Sequence, residues 1–129
     1  MHVRIWTEIA DWDFERVLQS NQQAWNEALS KVEVASDDEE LKHIFYTALY
    51  RTMIDPRLYS DTNGEYMGGD KKIYQTGSFQ KRTIFSGWDV FRSEMPLLTL
   101  IRPDVISDML NSLITLADEI GTLGVPECL

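Results

Sequence analysis

The chain has 129 residues, 43% of them hydrophobic and four of them tryptophan, which is enough for one folded domain with a core. Twelve basic against 21 acidic residues give a net charge of −9, which argues against nucleic acid and anionic membrane as partners. A single cysteine, Cys128, excludes an internal disulfide and a cysteine metal cage.

The first helix is expected at about 13–33. Phe14, Val17, Leu18, Trp25, Leu29 and Val32 recur at three- and four-residue steps, with Asp11 or Asp13 as its N-cap. A second follows at about 37–54. Ser36-Asp-Asp-Glu39 reads as a capping box, and Leu41, Ile44, Phe45, Ala48, Leu49 and Met53 form the apolar stripe. Asp55-Pro56 ends it, because a residue before proline avoids helical angles.

Residues 55–86 read as a long loop punctuated by Gly64, Gly68, Gly69 and Gly77. Lys72–Thr76 and Arg82–Phe85 flank Gly77 and suggest a small β-hairpin. Ordered connections of this length are more often functional than idle. A third helix is expected at about 87–101, opened by a second capping box, Ser86-Gly-Trp-Asp89, and kinked or shortened near Ser93 by Pro96. The fourth, at about 103–120, starts on Pro103 and stops at Gly121. Its apolar residues, Val105, Ile106, Met109, Leu110, Leu113, Ile114 and Ala117, cover more than a narrow seam, and such a helix needs neighbours on several sides.

The fold class is therefore mainly α: about four helices as antiparallel pairs, in one partial domain spanning 1–129, joined by an elaborated loop. The N-terminus has no apolar stretch of signal-peptide kind, and no apolar run reaches the roughly 18 residues that span a bilayer. The chain read by itself is expected to be soluble, with no address that fixes its compartment.

Trp88, Asp89 and Arg92 carry the sharpest functional signal. An indole plate, a fixed carboxylate acceptor and a forked guanidinium donor within one turn suit a neutral polyhydroxy ligand, a sugar above all. Each also has a plainer role: Asp89 closing the Ser86 capping box, Trp88 filling a core, Arg92 pairing with Asp89 or Glu94. Asp61 and Asp70 lie among turn-forming glycines and lack the closing glutamate of a twelve-residue calcium loop. His2 and His43 have no partner at ligand spacing, and Cys128 has no neighbouring cation to activate it. No catalytic and no metal-ligating residue is nominated.

Five phrases in chain order resemble glycoside hydrolase family 92, the calcium-dependent exo-acting α-mannosidases. They are Ala24-Trp-Asn-Glu-Ala-Leu-Ser-Lys-Val-Glu-Val34, Phe45-Tyr-Thr-Ala-Leu-Tyr50, Asp61-Thr-Asn-Gly-Glu-Tyr-Met-Gly-Gly-Asp70, Phe85-Ser-Gly-Trp-Asp-Val-Phe-Arg92 and Pro96-Leu-Leu-Thr-Leu100. The resemblance implies the first part of an (α/α)6 barrel, without the β-sandwich that precedes it in the family. It implies that Asp89 binds hydroxyls of a terminal mannose and that Trp88 and Arg92 shape the pocket. The acid and base of the inverting reaction, and the calcium ligands, would lie beyond Leu129.

The implied partner is an α-mannoside or N-glycan-type carbohydrate, and the implied parent is often secreted or periplasmic. Three departures stand out: Arg51 where the family has histidine, Val90 where it has threonine, and a broken Gly-x-Leu-Pro-x-Trp phrase at 121–129. A fragment that is inactive by itself follows from this resemblance. The rival is a small helical interaction protein without catalysis, which self-associates through its spare apolar faces.

Overall fold

A computed structural model describes residues 12–83 and 87–121 of the chain. The alternative cap Asp11, the third helix's cap Ser86 and Cys128 lie outside the described residues. Five helices and four short strands are described: α1 (Phe14–Leu29), α2 (Glu39–Thr52), β1 (Arg57–Leu58), β2 (Glu65–Met67), β3 (Ile73–Gln75), β4 (Arg82–Thr83), α3 (Gly87–Val90), α4 (Glu94–Ile101) and α5 (Pro103–Ile120). The chain divides within α2 into two units, 1–46 and 47–129.

In the first unit, Asp13 caps α1 by accepting the Arg16 N–H at 3.2 Å. The helix stops at Leu29, short of Val32, as the Ser30 hydroxyl bonds back to the Glu27 carbonyl and residues 30–32 turn away. The N-cap of α2 is Asp38 rather than Ser36. Its Oδ1 accepts from the N–H groups of Glu40 and Leu41 at 2.9 and 3.1 Å, while Ser36 Oγ accepts only from Asp38 N–H. Tyr46 ties the connection down, its hydroxyl donating to the Val32 carbonyl and accepting from the Val34 N–H.

The second unit holds both strand pairs. The hairpin expected across Gly77 is not formed. β3 pairs antiparallel with β2, and β4 with β1, so each of the two segments finds its partner upstream. Turn chemistry explains the choice. Gly68 N–H donates to the Lys72 carbonyl, Lys71 N–H to the Gly68 carbonyl, and Asp70 Oδ1 accepts the Lys72 N–H, closing a tight β2–β3 turn. Across it Tyr66 and Tyr74 face each other in register and stack at 5.9 Å. Gly64 precedes β2 with φ +82°, a left-handed angle that favours glycine, and its N–H closes on the Asp61 carbonyl.

Pro96 shapes the next helices as expected. The chain turns at 91–93 and α4 restarts at Glu94, so proline falls in the first turn, where an N–H would have had no helical acceptor. One predicted helix thereby becomes two. Pro103 begins α5, and Gly121 ends it at φ +75° with its N–H on the Ala117 carbonyl. Leu98 on α4 and Val105 and Met109 on α5 are buried where these helices pack together.

The wide apolar faces are only partly covered. Leu100 is 81% exposed, and Leu110 and Ile114, one helical turn apart on α5, are each more than half exposed. In the first unit no residue of α1 is buried, and Phe14 stands open. Among the described residues no helix is long and apolar enough to cross a membrane.

Candidate functional site

Trp88 and Asp89 sit on α3, a single turn that lies between β4 and α4, and Arg92 follows in the turn at 91–93. All three are exposed. Trp88 is 83% exposed and packs into no core within this chain. The Arg92 guanidinium lies 5.2 Å from the Phe91 ring centre, a cation–π contact on its own neighbour. Among the described residues, no ion pair joins Arg92 to Asp89 or Glu94. Plate, acceptor and donor are thus presented in one short stretch of surface.

Glu94 begins α4 just beyond. Partial burial, with the nearby Asp55 carboxylate adding to it, pushes its carboxyl above the usual range. Asp55 itself is paired with Arg57 at 2.9 Å, beside the cis Asp55–Pro56 bond.

The other acidic loop positions serve the turn. Asp70 holds the Lys72 ammonium at 2.8 Å and accepts the Tyr74 hydroxyl, and the Lys72 contact lowers its carboxyl below the ordinary value. Among the described residues no three histidine, cysteine, aspartate or glutamate side chains converge on one point. The described residues therefore offer no carboxylate cluster for a calcium ion, which takes six to eight oxygens.

The structure adds a cluster that the apolar periodicity of α5 concealed. Asp108, Ser112, Thr115 and Glu119 fall at steps of four, three and four, one stripe down the helix, and this stripe receives the loop. Lys81 is 5% exposed, yet its ammonium donates to the Ser112 carbonyl at 3.1 Å, Thr115 Oγ1 at 2.7 Å and Glu119 Oε1 at 3.4 Å. Three protons meet three acceptors. Its fourth neighbour is the Tyr66 ring, 4.7 Å away.

Glu119 is as deeply buried and is matched in turn. Oε1 also accepts the Tyr66 hydroxyl at 2.8 Å, and Oε2 accepts the Gly69 N–H at 2.9 Å. Arg82 completes the seam, its backbone N–H on Ser112 Oγ and its side chain on Asp108 and the Pro56 carbonyl. Gln80 N–H reaches Asp108 as well.

The charges respond to this burial. Loss of water pushes the Lys81 ammonium pKa down, and the attraction of Glu119 only partly restores it. Burial, with Glu119 as hydrogen-bond acceptor, pushes the Tyr66 hydroxyl up to about 12. The Tyr66 hydroxyl therefore keeps its proton throughout the physiological range.

Against this geometry stand the known proteins. The model of the glycosyl hydrolase family 92 catalytic domain matches residues 3–128, and the chain belongs to that family. The family GH92 α-mannosidase BT3965 from Bacteroides thetaiotaomicron is 28% identical and superposes with a TM-score of 0.84, over 88% of this chain and 15% of that one. Its complex with mannoimidazole superposes over the same shares at 0.83. The GH92 glycosyl hydrolase ccman5 is 27% identical with a TM-score of 0.87, over 98% of this chain and 17% of that one. No curated protein matches the chain. The chain spans less than a fifth of the solved enzymes it resembles. Its mainly helical fold is therefore that of one portion of a GH92 (α/α)6 barrel enzyme.

Proposed function

We propose that residues 1–129 are one part of an α-mannosidase catalytic domain, and that Asp89, Trp88 and Arg92 contribute to its sugar-binding rim. The observation that carries this reading is the family match over almost the whole chain, joined to the exposed indole, carboxylate and guanidinium at 88–92. Asp89 would accept from mannose hydroxyls, the Trp88 face would cover an apolar patch of the ring, and Arg92 would donate beside it. The related enzyme's complex with mannoimidazole supports a mannose-like ligand.

The reaction in the complete enzyme would be inverting hydrolysis of a terminal α-mannoside. It needs one carboxylic acid to protonate the leaving oxygen and a second carboxylate to activate water, roughly 6.5–9.5 Å apart. We place that pair, and the oxygen ligands of the calcium that the resemblance implies, outside these 129 residues. The chain should therefore show no turnover of an aryl α-mannoside with calcium present. Turnover above background would require an acid–base pair within it and would overturn this reading. Titration with mannoimidazole should shift the amide resonances of Trp88 and Asp89, and Asp89→Asn should abolish the shift.

A second reading draws on the exposed Leu100, Leu110 and Ile114. They would suit a small helical interaction protein that covers its apolar faces by self-association. Size-exclusion chromatography separates the two. A discrete dimer favours self-association, whereas a folded monomer that aggregates with rising concentration, as its bare apolar faces meet, favours a part of a larger barrel.

A further inference from the structure

We infer that Lys81 and Glu119 are positioning residues for the Trp88–Asp89 turn, a role that deepens the sugar-rim reading and rests on it. The turn has two legs, and one helix holds both. On its C-terminal side, α4 packs on α5 with Leu98, Val105 and Met109 buried. On its N-terminal side, residues 80–82 are held to the polar stripe of α5 through Asp108, Ser112, Thr115 and Glu119.

Only three residues separate β4 from Gly87, so four Cα steps of at most ~3.8 Å each tether the turn to the anchored strand. Glu119 extends the clamp to β2 and the following turn through Tyr66 and Gly69. A surface turn of four residues has little stability of its own. Its orientation comes from the anchors on either side, and the ionic anchor is the one that sequence variation could tune without touching the apolar core.

The test uses the full 129-residue chain and nitrogen-15 relaxation of its backbone amides. In the wild type, residues 87–90 should have order parameters near those of α5, roughly 0.85. Lys81→Met should drop them below about 0.6 while Leu98 and Met109 keep their values. Thr115→Val, which takes from the Lys81 ammonium its acceptor at 2.7 Å, should lower them part of the way. It also decides the matter by the same criterion if Lys81→Met loses its folded spectrum.

The inference is overturned if 87–90 keep wild-type order while 66–69 and 80–83 alone loosen, because the seam is then merely a structural fastener. It is equally overturned if 87–90 are already below about 0.6 in the wild type, since no position is then being held. Mannoimidazole added to the wild type separates this from the sugar reading. Absence of shifts at Trp88 and Asp89, with order still lost in Lys81→Met, removes the ligand and leaves the positioning intact.

Discussion

A double-mutant cycle on Lys81 and Glu119 probes the buried seam most directly. Both side chains are within 6% of complete burial, so removing either leaves the other as an uncompensated charge. Breaking such a pair costs about 3–5 kcal/mol, a large share of the 5–15 kcal/mol that typically stabilises a domain. Lys81→Met leaves Glu119 with two donors, Tyr66 O–H and Gly69 N–H, and should fall at the lower end of that range.

Glu119→Gln keeps an oxygen for Tyr66 and Lys81 but turns an NH2 toward the Gly69 N–H, so a donor meets a donor. Its cost should be similar. Lys81→Met/Glu119→Gln buries no charge and should be more stable than the sum of the singles predicts, by about 1–3 kcal/mol. Urea unfolding followed by far-UV circular dichroism gives each corner. With a slope of about 2 kcal/mol per molar, a loss of about 4 kcal/mol moves the midpoint by about 2 M. Single losses below about 1 kcal/mol, or strict additivity, would show the pair to be solvated and refute the reasoning.

Three further outcomes follow from the same geometry. The Tyr66 hydroxyl, at about 12 when folded against 10 when unfolded, contributes stability that is complete below pH 10 and lost as pH rises toward 12. Tyr66→Phe should remove about 2 kcal/mol of alkaline destabilisation between pH 9 and pH 11.5, measured by urea unfolding at the two pH values, where Lys81 acts oppositely below its unfolded pKa of 10.5. Gly69→Ala would place a Cβ 2.5 Å from Ile120 Cγ2 and 3.0 Å from Leu116 Cδ1, and should cost about 1–3 kcal/mol in urea unfolding as β2–β3 is pushed off α5. Glu94 has a raised folded pKa, so its contribution is present at low pH and lost as pH rises through that value. Glu94→Gln should raise the melting temperature at pH 7 and leave it unchanged at pH 3.

The helices were legible in the sequence because their signals are local. Asp13, Pro103 and Gly121 act within one turn of chain, and each caps or starts its helix as read. Pro96 forces α4 to begin where its missing N–H is harmless, which is again a near-neighbour effect. Strand pairing was less legible, because two apolar pairs of segments could close across either Gly77 or Gly68–Gly69. The Asp70 carboxylate that accepts Lys72 N–H, and the Tyr66–Tyr74 stack, decide it for the earlier turn.

The site divides in the same manner. Trp88, Asp89 and Arg92 are neighbours in sequence, so their juxtaposition needed no fold to be seen. Lys81 and Glu119 are 38 residues apart, and only the fold makes them a pair. A trace existed: Asp108, Ser112, Thr115 and Glu119 form a polar stripe on a helix with wide apolar faces, and such a stripe facing a loop with one buried lysine has a partner to find.

The exposed apolar residues and the buried polar ones are complementary consequences of one arrangement. An α5 surrounded on several sides needs Leu110 and Ile114 on a face that this chain leaves open, and the related enzymes are about six times its length. The side facing its own loop is satisfied by an ion pair instead of leucines. Packing an irregular loop of β2, β3 and β4 with apolar side chains would have left the Gly69 and Arg82 amides without acceptors. Glu119 and Ser112 supply those acceptors, and Lys81 neutralises the carboxylate that does so. The buried charge is thus the physical consequence of seating an irregular loop against a helix. Its stability contribution should therefore vanish in any variant in which that loop is replaced by a regular hairpin that satisfies its own backbone.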